Sequence, residues 1–136
     1  MYPPELTAPM AKDLTMVGFE ELKTPEQVDK ALAQSGTVLC MVNSVCGCAA
    51  GAARPGVKAS LNSNKRPDKL VTVFAGVDTD AVLRARQHFL PYPPSSPSIA
   101  LFKDGKLVHF VERHHIEGRT AQMIADHLAM AYDEFC

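Results

Sequence analysis

The sequence predicts an α/β chain built on a mixed four-stranded central sheet with helices on both faces, and three observations carry that prediction. Two apolar, β-branched runs at 37–42 and 70–75 are separated by a helix-forming stretch, which makes them parallel neighbours joined by a right-handed crossover. Two later runs, 98–102 and 107–111, flank Asp104-Gly105, a tight-turn signal that adds an antiparallel hairpin to the same sheet. Between the first run and its following helix stand two cysteines one residue apart, Cys46 and Cys48.

The elements follow in order. Leu6, Met10 and Leu14 recur every four residues, with Val17 continuing the face, so 4–16 reads as an amphipathic helix ending before Gly18. Thr24-Pro25-Glu26-Gln27 is a helix start: a hydroxyl to cap, a proline where no amide hydrogen is needed, and a glutamine placed to reach back. Val28 and Leu32 form the buried side of this second helix, and Gly36 stops it. After Cys48 the small residues Ala49, Ala50, Ala52 and Ala53 favour a closely packed helix to about Ser60, with Pro55-Gly56 expected to kink or interrupt it. Asp78 or Thr79 can cap a helix running to about Leu90, with Val82, Leu83, Ala85 and Phe89 turned inward. Residues 91–97 form a connection rich in proline and serine. The last helix covers about 120–135, because Ile124, Leu128, Ala131 and Phe135 share one face.

A chain of 136 residues, 46% of them hydrophobic, suits one domain with one sizeable core, divided here into an N-terminal helical part at 1–36 and a core with the cysteine pair at 37–136. The formal net charge of −1 comes from interspersed acids and bases, which removes the electrostatic drive for nucleic-acid or membrane-surface binding. Prolines, Glu5 and Asp13 occupy the region where a secretory signal needs a basic start and an unbroken apolar run, and no stretch approaches membrane-spanning length. The reading is a soluble, cytoplasmic protein.

Cys40, Cys46, Cys48 and Cys136 are too few and too unevenly spaced for a disulfide scaffold, so reactive thiols or a metal site are the explanations to weigh. Cys46 follows a buried strand and opens a helix, where free amide groups and the positive end of the helix dipole favour thiolate, the attacking species in thiol–disulfide exchange. Cys48 lies close enough to resolve the resulting mixed disulfide. One intervening residue makes the ring of an internal disulfide smaller than the usual spacing does, so the bond is expected to be strained and easily reduced; Gly47 best tolerates such a backbone. The metal alternative would use Cys46 and Cys48 with Cys40, Cys136 or a histidine, but structural zinc sites prefer paired ligands at wider spacing. A redox-sensing module without turnover is the other reading of that class. Cys40, inside an apolar run, reads as an inert core residue, and Cys136 as an exposed terminal thiol or a third redox participant. His114-His115 and Arg54 stay unassigned: the histidines as solvated loop residues, Arg54 as either an aid to the thiolate or a solvent-facing side chain. The methionines read as core fillers, and no cofactor is expected.

The stretch Val42-Asn43-Ser44-Val45-Cys46-Gly47-Cys48-Ala49-Ala50-Gly51, followed by Ala53-Arg54-Pro55, resembles the bacilliredoxins. Val71-Thr72-Val73-Phe74-Ala75-Gly76, Ser95-Ser96-Pro97-Ser98 and Ile116-Glu117-Gly118 are similar to the same family, in the same order and over nearly the whole chain. The resemblance implies a thioredoxin-like fold and the removal of bacillithiol, a low-molecular-weight thiol, from mixed disulfides on cytoplasmic proteins, with disulfide isomerase activity as an alternative. It implies Cys46 as the nucleophile, Cys48 as the resolving thiol, Pro97 as a cis proline facing the reactive cysteine, and Ser96, with Gly47, as part of the surface that binds the client. Proteins carrying such mixed disulfides and the small thiol itself are the implied partners.

Overall fold

The computed structural model describes residues 2–136. Its elements are α1 (Pro4–Thr15), β1 (Glu20–Glu21), α2 (Pro25–Leu32), β2 (Thr37–Asn43), α3 (Arg54–Ser60), β3 (Lys69–Phe74), α4 (Thr79–His88), β4 (Ser98–Lys103), β5 (Lys106–Val111) and α5 (Ala121–Phe135). A π-helical turn, Ala49–Ala53, leads into α3, and a 3₁₀ turn, Arg113–His115, follows β5.

The sheet has five strands in the order β1-β3-β2-β4-β5, not the expected four. β1, β3 and β2 run parallel, while β4 and β5 pair antiparallel on the other side of β2. The added strand is Glu20–Glu21, which pairs with Val71 and Thr72 at the open edge of β3, so the N-terminal part is not purely helical. A two-residue acidic segment has no hydrophobic period to read; the backbone groups that β3 offers decide its conformation.

Every residue of β2 is buried, the outcome its unbroken apolar run requires. Leu39 and Met41 face a core shared with Leu14 of α1, Val57 of α3 and Ile124, Leu128 and Tyr132 of α5. Val38, Cys40 and Val42 face the other core, formed with Val28 and Leu32 of α2 and Ala81, Val82 and Ala85 of α4. Three inward assignments fail. Leu6 is 44% and Val17 36% exposed, so of the four-residue repeat Leu14 alone is fully buried in α1, joined by Thr7. Leu83 is 55% exposed, because α4 turns the narrow face of Ala81, Val82 and Ala85 toward the sheet and α2.

Pro55 is accommodated without breaking the helix. Just before it the ladder widens, the Arg54 N–H bonding to the Ala49 carbonyl five residues back, and Pro55 then occupies the first turn of α3, where its missing N–H costs little. Asp104 and Gly105 both take positive φ, the pattern of the expected tight hairpin turn. Thr24 and Thr120 cap α2 and α5, accepting from the amides of Gln27 and Met123.

α3 lies close on α5 because Gly56 has no side chain: a Cβ there would stand 2.6 Å from Ile124 Cβ and 3.0 Å from the Ala121 carbonyl oxygen. Nearby, Ser60 Oγ and the Tyr132 hydroxyl meet at 2.9 Å inside the core. Gly→Ala in a helix ordinarily stabilises by about 1 kcal/mol. Here overpacking against β-branched Ile124 reverses the sign, and Gly56→Ala is expected to lower unfolding stability by roughly 1–2 kcal/mol, measured by urea denaturation.

Candidate redox site

The site stands at the C-terminal end of β2, where the sheet's central strand gives way to a helical segment. β2 ends at Asn43, whose side chain is fully buried and joins three parts of the chain. Its Nδ2 donates to the Met10 carbonyl of α1 at 3.2 Å, and its Oδ1 accepts from the Ser44 amide at 2.9 Å and from Arg54 Nη1 at 3.0 Å. Arg54 also donates to the Ser44 carbonyl at 2.7 Å and approaches Asp13 of α1 to 3.7 Å, while remaining only 5% exposed. Lys58 completes the bridge to α1 with a 2.6 Å bond to Asp13. The segment leading to Cys46 is thereby held by charge-assisted bonds from behind.

Cys46 and Cys48 are both partly exposed free thiols, with their Sγ atoms 2.8 Å apart. The Cys46 amide donates to Ser44 Oγ at 3.1 Å, and the Cys46 carbonyl accepts the first helical amides, from Ala49 and Ala50. Partial burial pushes the Cys46 thiol up, but hydrogen bonds from Cys48, the Ala49 amide, Ser44 and the Cys48 amide outweigh it, and the net displacement is downward. Cys48 moves the other way: burial, the hydrogen bond to Cys46 and the charge of Cys46 all raise it, with Arg113 opposing. Two adjacent thiols with opposite displacements share one charge, and that charge rests on Cys46.

Ser96 and Pro97 lie beside this segment, because antiparallel pairing of Val42 with Ser98 brings the residues before β4 alongside those after β2. The Ser96–Pro97 peptide is cis, in the form the resemblance implies, and so is Leu90–Pro91, which no sequence signal marked. The Ser96 carbonyl is already engaged, accepting from Arg113 Nη1 at 3.0 Å. Gly47 is exposed, has no positive φ, and a Cβ on it would meet nothing within 4 Å. The dithiol form therefore makes no steric demand for glycine at 47; the demand read from the sequence belongs to the Cys46–Cys48 disulfide.

The four cysteines do not converge. Cys40 is buried in mid-strand, its thiol pushed up to about 12 by desolvation, which makes it inert. Cys136 ends the chain after α5, near Thr37 at the start of β2, and its thiol is raised by partial burial. Seven residues of β2 separate that end from the site, about 20 Å at the usual strand rise, so Cys136 cannot join Cys46 within one molecule. A metal set drawing Cys40 or Cys136 to the pair is not assembled. Among the described residues the only metal-capable group of three is Glu112, His114 and His115, whose histidines are exposed.

The residues missed by sequence reasoning are Asn43, Asp13 and Arg113. A polar residue closing an otherwise apolar strand was the available signal for Asn43; no local pattern announces the others.

The whole chain from residue 2 to 136 matches the family model described as disulphide isomerase. A bacilliredoxin of Cytophaga hutchinsonii is 63% identical over 134 residues, covering 98% of this chain and 99% of that protein. A bacilliredoxin of Halalkalibacterium halodurans is 50% identical over 136 residues, covering 99% of this chain and 94% of that one. Among solved structures, a mutant thioredoxin from Halobacterium salinarum superposes with a TM-score of 0.60 at 16% identity, over 88% of this chain and 91% of that one. Mitochondrial thioredoxin 3 from Saccharomyces cerevisiae gives 0.57 at 13% identity, over 90% and 98%. These likenesses establish a thioredoxin-like fold.

Removing Arg54 leaves Asn43 Oδ1 and the Ser44 carbonyl short of a buried donor. Arg54→Met is expected to cost roughly 2–4 kcal/mol in urea unfolding and to slow alkylation of Cys46. The depressed Cys46 pKa fixes the sign of a pH effect. Its stabilisation of the reduced fold is absent in acid, accrues as pH rises through the folded-state pKa, and is complete above the free-thiol value. The reduced protein is expected to gain urea resistance over Cys46→Ser across that window, with iodoacetamide labelling Cys46 at lower pH than Cys48.

Proposed function

The chain belongs to the disulphide isomerase family, together with the bacilliredoxins it matches along its length, and from that membership we propose that this thiol–disulfide oxidoreductase removes bacillithiol, or a similar small thiol, from mixed disulfides on cytoplasmic proteins. The observation that carries the reading is the Cys46–Cys48 pair, 2.8 Å apart and displaced in opposite directions, with the more acidic thiol foremost.

In the first exchange the Cys46 thiolate attacks the small-thiol sulfur of the client's mixed disulfide. A Cys46–small-thiol disulfide forms, and the client sulfur leaves as a thiolate that takes up a proton. That exchange consumes the charge on Cys46, one of the causes that hold the Cys48 thiol protonated. Cys48 then loses its proton more readily and attacks Cys46 Sγ. The Cys46–Cys48 disulfide forms, the small thiol leaves, and the two electrons the pair has lost have reduced the mixed disulfide to a client thiol and a free small thiol. A low-molecular-weight thiol or a dithiol reductant must return the pair to its reduced form. Gly47, Ser96 and Pro97 make up the surface on which the client approaches. The Ser96 amide is the backbone group open to it, since the Ser96 carbonyl is held by Arg113.

A second reading, disulfide isomerisation, is favoured by the description of the matched family, and it uses the same attack on a different disulfide. Cys46→Ser is expected to abolish release of bacillithiol from a modified client, while Cys48→Ser accumulates the small-thiol adduct on Cys46, read by intact mass. Full activity in Cys46→Ser would end this mechanism. Equal rates on bacillithiol and glutathione adducts, with faster recovery of a scrambled protein, would favour isomerisation. Reversible oxidation of the pair with no acceleration of exchange on any client would make the protein a redox sensor.

A further inference from the structure

The loop beside the two thiols is bonded to an arginine whose hydrogen bonds leave part of it unused. Arg113 opens the 3₁₀ turn after β5, and its backbone amide approaches Ser95 Oγ at 3.4 Å. Its Nη1 donates to the Ser96 carbonyl at 3.0 Å, and its Nε pairs with the Glu117 carboxylate four residues on. A guanidinium has five donors in a fixed fork. Nη2 has no partner among the described residues, and the side chain is 44% exposed. Arg113 also stands within electrostatic reach of Cys46 and Cys48, and both thiolates favour its charge.

The neighbouring cations are occupied elsewhere. Arg54 is buried behind the strand end and spent on Asn43 and Ser44, and Lys58 is bonded to Asp13. Arg113 is therefore the partly exposed cation beside the pair with a donor to spare, fixed to the Ser95-Ser96-Pro97 loop by hydrogen bonds from its amide and its Nη1. A guanidinium with one free edge and a rigid footing is the group that receives a planar carboxylate.

We propose that Arg113 forms an anion subsite that takes the carboxylate of a low-molecular-weight thiol while its sulfur is in disulfide linkage with Cys46. The inference deepens the reading above and rests on it. Glu117 is part of the device: its carboxylate holds the Nε edge when the subsite is empty and keeps the guanidinium aimed toward the loop. The carboxylate of the arriving thiol binds Nη2, and the Ser96 and Glu117 bonds need not break. The subsite therefore adds an anionic ligand to a cation already balanced on one side, and the preference it confers is modest and sensitive to salt.

The test uses two adducts of one reduced client protein, identical except for the carboxylate: mixed disulfides with N-acetylcysteine and with N-acetylcysteamine. The intact protein is expected to release the carboxylate-bearing thiol roughly 3–10-fold faster, a preference that shrinks as ionic strength rises. In Arg113→Gln the ratio is expected to fall to near one, and in Arg113→Lys to recover in part. The ratio is the decisive quantity, because a loss of thiolate stabilisation or a loosened loop slows both adducts alike. Equal release of the two adducts by the intact protein overturns the subsite and leaves the proposed exchange of small thiols standing. A preference that survives in Arg113→Gln overturns the assignment to Arg113. Release of neither adduct, nor of bacillithiol, overturns the functional reading and the subsite with it. Because the first comparison uses the unaltered protein, a variant that fails to fold leaves the decision intact.

Discussion

The bond between Arg54 and the end of β2 is the constraint on which the rest of the site depends. A central strand delivers its last residue accurately only while hydrogen-bonded neighbours hold it, and β2 loses its ladder at Asn43. Beyond that residue the chain is held by side chains: Arg54 on the Ser44 carbonyl and Asn43 Oδ1, and Asn43 on the Met10 carbonyl. A buried guanidinium is costly to desolvate, and burial lowers its pKa, yet Asp13 and the charge of Cys46 act in the opposite sense. The cation that shapes the loop thus also lies in the field of the thiolate it helps to place. The N-terminal helix supplies Met10 and Asp13, so α1 is a wall of the site and not an appendage.

On this footing, chemistry follows from unequal treatment of two identical groups. Cys46 sits where the first helical amides, the Ser44 hydroxyl and the second thiol converge, while Cys48 is packed partly against the core formed by α1, α3 and α5. Hydrogen bonds favour the anion at one sulfur, and burial with a neighbouring negative charge disfavours it at the other. In the proposed cycle the order of attack is then a consequence of protonation: Cys46 attacks first, and Cys48 is released to follow once Cys46 no longer carries the charge.

Much of the fold was legible because its signals are local or periodic. The unbroken run in β2, the threonine caps of α2 and α5, the Asp104-Gly105 turn and the cysteine pair are each contained within a few residues. The errors share a cause. Which face of an amphipathic helix is buried depends on what packs against it, so Leu6 and Leu83 follow the period and still face solvent. β1 exists because β3 has a free edge, a property of another segment altogether. The bulge at 49–53 was half legible: Pro55 announced an interruption, but whether the ladder kinks or widens is decided by the close contact of α3 with α5.

The sequence by itself determined that a closely spaced cysteine pair stands at a strand-to-helix junction of an α/β protein, because spacing, helix-start chemistry and hydrophobic runs are properties of contiguous residues. Tertiary structure alone decided which groups surround that pair. Asp13, Asn43, Arg54, Ser96 and Arg113 come from α1, β2, α3, the loop before β4 and the turn after β5, and they share a site only because the sheet register and two helix layers bring five distant segments together. Electrostatics falls off with distance in space and not along the chain, so the helix-start position marked Cys46 as the more acidic thiol from the sequence, whereas the parts played by Ser44 and Arg113 in the two displacements emerge only in the fold.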